Sequence, residues 1–205
     1  GRPIWQLGTA GVLFGVLKPG PELFTLELKK NGYELASTGK TWGPGRIEGF
    51  AGKGDGSQRE AVMGSSFDKR RLANRRVGIN PNDYSANFDD FLVNRDPKKP
   101  FFFWFGATEP HQVYEAGAWK RAGKRLDQAR LPRCLPDDPV TRGEILDYGL
   151  EIEHFDSQLG RMLQSLKAAD ELKNTLVIVT SDHGNPLPRS KCNLYDTGVR
   201  VPLAV

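Results

Sequence analysis

An α/β fold, a central and mostly parallel sheet with helices on both faces, is predicted by three features of this 205-residue sequence. The run Phe101-Phe102-Phe103-Trp104-Phe105 follows Pro100 and is apolar without interruption, as in a strand covered on both faces. A second run, Thr175-Leu176-Val177-Ile178-Val179-Thr180, is β-branched and equally unbroken. Between them lies the clearest helical pattern of the chain, and a helix that leads directly into an all-apolar strand belongs to a sheet with helices on its faces.

Composition permits such a core. Hydrophobic residues make up 38% and charged residues 26%, which argues against wholesale disorder. No apolar run approaches the ~20 residues that span a bilayer, so no membrane span is expected, and no basic-then-apolar signal segment opens the chain. The 29 Lys+Arg against 25 Asp+Glu leave a net charge of +4, a mild excess that suits an anionic ligand and carries no nucleic-acid signature. Cys134 and Cys192 are too few for a disulfide framework and lack zinc-site spacing.

The elements follow in chain order. Leu23, Phe24, Leu26 and Leu28 predict a helix over residues 21–31, stopped by Gly32. A short strand over residues 33–38 ends in Gly39-Lys40. Residues 43–56 are glycine-dense and read as loop. Lys69-Arg70-Arg71 and Arg75-Arg76 form a basic stretch, read either as a solvated face or as the rim of an anion site. In the long helix, Ile145, Tyr148, Ile152, Phe155, Leu159, Met162 and Leu166 fall on one predicted core-facing stripe, and Asp137-Asp138-Pro139 marks its start. Residues 199–205 read as a buried strand that stops in mid-run. With the abrupt start at Gly1, this leads to the expectation of a piece cut from a larger protein.

Ligands of open α/β sheets collect at the carboxyl ends of strands. Three such ends carry chemistry here: Gly39-Lys40-Thr41-Trp42, Thr108-Glu109-Pro110-His111 and Ser181-Asp182-His183-Gly184. Two of the three histidines, His111 and His183, fall at them, and the third is His154. Asp182 and His183 could both face a divalent cation, although two ligands are too few for a metal site and an Asp at a turn is the plain alternative. Lys40 and Lys191 are candidate anion clamps, against the alternative of solvated lysines. His111 could protonate a leaving group, against that of a hydrogen-bonded structural histidine. Other motifs fail: Gly39-Lys40-Thr41 has Glu34 where a P-loop needs glycine, no Gly-x-Ser-x-Gly elbow exists, and the glycines of residues 43–49 have the wrong spacing for a dinucleotide.

In joint order these features are more specific than any one alone. Thr38-Gly39-Lys40-Thr41-Trp42-Gly43-Pro44-Gly45, then Pro100 to His111, then Glu151-Ile152-Glu153-His154-Phe155-Asp156 on the long helix, then Asn174 through Gly184, Pro188-Arg189-Ser190-Lys191 and Leu194 to Pro202 resemble the sulfatase family of the alkaline phosphatase superfamily. Within it the likeness is strongest to heparan N-sulfatase-like members. It covers nearly the whole chain, residues 52–84 being the least distinctive.

The resemblance implies a formylglycine enzyme that hydrolyses sulfate esters or sulfamates on sulfated sugars, with calcium and lysines neutralising the sulfate. It implies Asp182 and His183 as calcium ligands, Lys40 and Lys191 on sulfate oxygens, and His111 on the sulfate and leaving group. The family's Cys/Ser-x-Pro-x-Arg nucleophile segment is not found: Cys134-Leu135-Pro136 continues into Asp137-Asp138, and no proline follows Cys192 at the required place. The expectation is therefore that residues 1–205 are an internal part of a sulfatase catalytic domain, with the nucleophile segment upstream and a C-terminal region beyond, and that they are inactive alone. The family's compartments are the periplasm, the lysosome and the extracellular space. Two other readings stay open: a phosphodiesterase or phosphonate hydrolase of the same superfamily, and a non-catalytic module that binds sulfated glycans.

Overall fold

The structure, a computed structural model, describes residues 3–12, 14–42, 45–50 and 55–205. The chain divides into two compact units, Gly1–Leu72 with Asn82–Ala107, and Ala73–Pro81 with Thr108–Val205.

The first unit holds β1 (Val16–Leu17), α1 (Phe24–Lys30), β2 (Glu34–Gly39), β3 (Arg46–Ile47), α2 (Asp55–Met63), β4 (Ser65–Ser66), α3 (Tyr84–Asn94) and β5 (Phe101–Gly106). Its main sheet runs β4-β2-β5, all parallel, with β2 and β5 in register from Glu34↔Phe101 to Gly39↔Gly106. Successive side chains of a strand point to opposite faces, and β5 uses both. Phe101 and Phe103 pack on Phe91, and Phe105 on Tyr84, all from α3. Phe102 meets Phe24 of α1, edge to face, at 5.4 Å. The aromatic run is thus a strand with a helix on each face, as its sequence predicts. α3 is started by Asp83, whose side chain accepts the Ala86 N–H.

The glycine-dense stretch departs from the loop expected there. β3 pairs in parallel with β1, and α2 begins at Asp55, while residues 43, 44 and 51–54 lie outside the described residues. One buried side chain explains the short pairing: Ile47 is buried with Leu17 and Val62, so its burial outweighs the local glycine content.

The second unit holds α4 (Ala118–Arg121), α5 (Pro139–Ala168), β6 (Val179–Thr180), α6 (Asp196–Val199) and β7 (Leu203–Ala204). α5 starts as predicted: Asp138 caps it by accepting the N–H groups of Val140 and Thr141, with Pro139 in the first turn. Its buried face keeps Met162 and Leu166 of the predicted stripe, leaves Ile145, Tyr148, Phe155 and Leu159 half-buried, and otherwise departs from it. Gly143, Leu146, Asp147, Leu150, Glu151, Gln158, Met162 and Leu166 are buried, whereas Ile152 is exposed. The reason lies in the loop that covers the helix. Asp147 is met there by the backbone N–H groups of Gly117 and Trp119, both at 2.8 Å, and partnered polar groups can be buried where unpartnered ones cannot.

The run 175–180 is not the doubly covered strand its sequence predicts. Only Val179 and Thr180 pair, antiparallel with β7, and Leu176 and Ile178 are exposed. Likewise residues 199–205 supply the end of α6 and the two exposed residues of β7 rather than a buried strand. A strand is buried by its neighbours, and among the described residues β7 is the one strand paired with β6. Among the described residues no helix is long and apolar enough to cross a membrane.

Candidate active site

In the first unit the end of β2 is built so that Lys40 has a fixed backbone and an exposed side chain. Gly39 has φ +76°, and a Cβ there would lie 2.2 Å from the Gly106 carbonyl oxygen, so only glycine fits. The Lys40 N–H donates to Gly106 at 2.6 Å, and its carbonyl accepts from Trp104 Nε1 at 3.0 Å. Beside it stands Asp68, which the sequence did not single out. Its Oδ1 accepts from Thr38 Oγ1 (3.1 Å), the Gly39 N–H (2.7 Å) and Asn82 Nδ2 (2.6 Å), and its Oδ2 from Ser66 Oγ (2.5 Å). Burial works to raise the Asp68 pKa, but these donors together outweigh it and hold the group below the ordinary carboxylate value. Its partners lie up to 30 residues away in a stretch without periodic pattern, so no local signal announces it.

Three arginines of the basic stretch are engaged with the protein itself. Arg70 forks onto Asp90 at 2.8 and 2.9 Å. In the second unit, Arg75 and Arg76 donate to the carbonyls of Ile79 and Leu150.

The second unit brings His111 and Lys191 together across 80 residues: Lys191 Nζ lies 3.4 Å from His111 Nε2. His111 Nδ1 lies 2.6 Å from the Gln112 carbonyl, so Nδ1 carries the hydrogen and Nε2 presents its lone pair to the ammonium. The turn is held by the His111 N–H on the Thr108 carbonyl (3.0 Å) and by Tyr114 OH on the Pro110 carbonyl (2.9 Å). Glu109 is buried beneath it and accepts the Asn80 N–H at 2.7 Å, while the Asn80 side chain donates to Thr108 Oγ1.

Lys191 leaves a loop folded on itself. Its N–H donates to Asn185, Ser190 is buried with its hydroxyl on the Thr197 carbonyl, and Gly184 donates to Gly198. The same loop begins with the second pair. His183 Nδ1 lies 2.7 Å from the Gly184 carbonyl and Nε2 lies 3.5 Å from Asp182 Oδ2. An imidazole whose Nδ1–H is held by a carbonyl presents Nε2 outward, the arrangement of many metal-binding histidines. One oxygen and one nitrogen fit part of a divalent site. Among the described residues no group of three or more His, Cys, Asp or Glu is placed to hold a metal, so further ligands are needed to complete it. Cys134 and Cys192 are exposed free thiols.

The five residues singled out in the sequence therefore fall as one and four: Lys40 at the end of β2 in the first unit, and His111, Lys191, Asp182 and His183 on loops of the second. One unit thus holds a histidine with a lysine on its ring nitrogen and, on the loop that leads to that lysine, an Asp-His pair. The sulfatase profile matches residues 27–205, and the chain belongs to the sulfatase family. It is 37% identical over 151 residues to the human N-sulphoglucosamine sulphohydrolase, a match covering 63% of this chain and 30% of that protein. It is 28% identical over 148 residues to an ulvan-active sulfatase of Formosa agariphila, covering 55% of this chain and 25% of that protein. The crystal structure of Ps i-CgsB shares the fold, with a TM-score of 0.50 at 19% identity over 86% of this chain and 45% of that one. The chain thus spans less than half the length of each of these proteins.

Proposed function

We propose that the protein containing these residues hydrolyses sulfate esters or sulfamates on sulfated sugars, with His111 and Lys191 at its sulfate. The 3.4 Å approach of Lys191 Nζ to His111 Nε2 carries the reading. A sulfuryl group spreads negative charge over its oxygens, and fixed cations in a site of low water content stabilise it most in the transition state. Lys191 binds sulfate oxygens, the role that the family resemblance also gives to Lys40. Because Nδ1 of His111 is tied to the Gln112 carbonyl, Nε2 is the atom that takes a proton from the Lys191 ammonium beside it and passes it to the leaving oxygen or nitrogen as its bond to sulfur breaks. Asp182 and His183 contribute two donors to a calcium ion, which when bound supplies fixed positive charge. The nucleophile we assign to a formylglycine in a Cys/Ser-x-Pro-x-Arg segment, a motif that does not occur in these 205 residues, and the 205 residues alone are then inactive. The 37% identity to a protein named for N-sulphoglucosamine favours a sulfated sugar as substrate.

The test is sulfate release by the full-length protein from an aryl sulfate and from N-sulfoglucosamine, beside phosphate release from an aryl phosphate. Sulfate turnover that falls on calcium chelation is expected, with a loss of roughly 10²–10⁴ in kcat/KM for His111→Ala and Lys191→Ala. Faster phosphate turnover would instead establish a phosphodiesterase or phosphonate hydrolase. Retention on heparin without hydrolysis, indifferent to calcium, would establish a binding module.

A further inference from the structure

Beneath the His111 turn lies a buried carboxyl that the proposed chemistry does not use. Glu151 of α5 is 3% exposed, and its Oε2 has no hydrogen-bond partner. Two other buried carboxyls of this unit, Glu109 and Asp147, are 5% and 4% exposed. Each of those accepts backbone N–H groups, Glu109 from Asn80 and Asp147 from Gly117 and Trp119. Such donors favour a charged carboxylate, and their absence leaves Glu151 as the member of the trio suited to hold a proton.

The contacts run from Glu151 to His111 in three short links. Segment 73–81 crosses α5, tied to it by Arg76 on the Leu150 carbonyl at 2.8 Å. At Gly78 the backbone passes so close that a Cβ would lie 3.3 Å from Glu151 Oε1 and 2.6 Å from the Val113 carbonyl oxygen. Two residues on, Asn80 grips the turn through Glu109 and Thr108, and that turn carries His111.

We propose that Glu151 is a positioning residue for His111: its uncharged carboxyl lets segment 73–81 seat between α5 and the 108–114 turn, and so fixes the imidazole against Lys191. Ionisation would set a third buried negative charge beside those of Glu109 and Asp147, with Arg76 as the opposing cation. The other titratable neighbours, Tyr114 from the turn and Tyr148 from α5, are both held protonated by burial. Burial first, then Glu109, pushes the Glu151 pKa up to about 7, so the brace is set below that pH and released above it.

This rests on the sulfatase reading for its catalytic consequence but not for its structural one, and two readouts on the full-length protein separate them. In the first, kcat/KM on an aryl sulfate is followed from pH 5.5 to 8.5. The wild type should fall by roughly 10–100-fold through about pH 7 in kcat rather than KM, as expected for a misplaced proton donor. Glu151→Gln, which fixes the uncharged form, should remove that fall, and Glu151→Ala should lower kcat across the range. In the second, the Gly78 and His111 backbone amide resonances are followed over the same pH range. Both should shift together near pH 7 in the wild type and not in Glu151→Gln, whether or not any sulfate is turned over. An amide titration unchanged by Glu151→Gln overturns the positioning role. A protein that shows the amide titration but releases no sulfate overturns the sulfatase reading and leaves the brace in place.

Discussion

Asp68 in the first unit and Glu151 in the second are acids facing the same problem with opposite outcomes. Both lose hydration on folding. Asp68 recovers it through a hydroxyl of Thr38, the amide of Gly39, the side chain of Asn82 and the hydroxyl of Ser66, and stays charged. Glu151 meets two other carboxyls and one arginine without a hydrogen bond to Oε2, and is held protonated to about pH 7. Donors, more than depth, decide the charge of a buried acid. The charged acid locks the strand end that carries Lys40, and the neutral one lies under the turn that carries His111.

The largest effect should come from breaking the satisfied network. Asp68→Ala removes the acceptor shared by the Thr38 hydroxyl, the Gly39 N–H and one N–H of Asn82, and should cost about 4 kcal/mol in denaturant unfolding of the full-length protein. A loss under ~1 kcal/mol would mean that water replaces the carboxylate without penalty. Asp68 also predicts an acid limb. With its folded pKa below the unfolded 3.8, its stabilisation is present above that value and is lost as pH falls through the folded pKa.

Next in size is Gly39→Ala, which forces a Cβ against the Gly106 carbonyl oxygen and the Tyr84 ring at φ +76°. It should lower stability by ~2–3 kcal/mol, and an unchanged melting temperature would show that the end of β2 is not held as described.

Glu151→Gln should act in the opposite direction. A carboxyl raised from 4.5 to about 7 contributes stability that is fully present below pH 4.5 and lost as pH rises to about 7. The variant should therefore be more stable than the wild type at pH 8, by ~2 kcal/mol, and the difference should vanish toward pH 5. Equal stability at both pH values would remove the contrast between the two acids. The smallest effect belongs to Arg125→Ala. This arginine pairs with Asp127 at an exposed site, and the melting temperature should not move.

Much of this was legible in the sequence because it is local. The aromatic run Phe101–Gly106 is apolar at every position but the last, so its strand needs no distant information. Asp138-Pro139 starts α5 through atoms within three residues. Gly39-Lys40, Pro110-His111 and Asp182-His183 stand where strands end, and the order of those motifs carried the family. What failed was non-local. In its first half the buried stripe of α5 follows the loop laid over it, which supplies donors to Asp147, whereas Met162 and Leu166 further on are buried as their spacing predicts. The two-residue β3 follows one buried isoleucine, and the exposed Leu176 and Ile178 follow from the short pairing of β6.

The sequence by itself determined the α/β class, the family and the types of side chain that the proposed sulfate chemistry draws on, since each is written in short strings whose meaning does not depend on their surroundings. Tertiary structure alone decided that Lys191 reaches His111 across 80 residues, and that Asp68 is held charged while Glu151 keeps its proton to about pH 7. Proximity and hydrogen-bond supply arise only when distant segments meet, and those two quantities set the charge of an acid and the reach of a base.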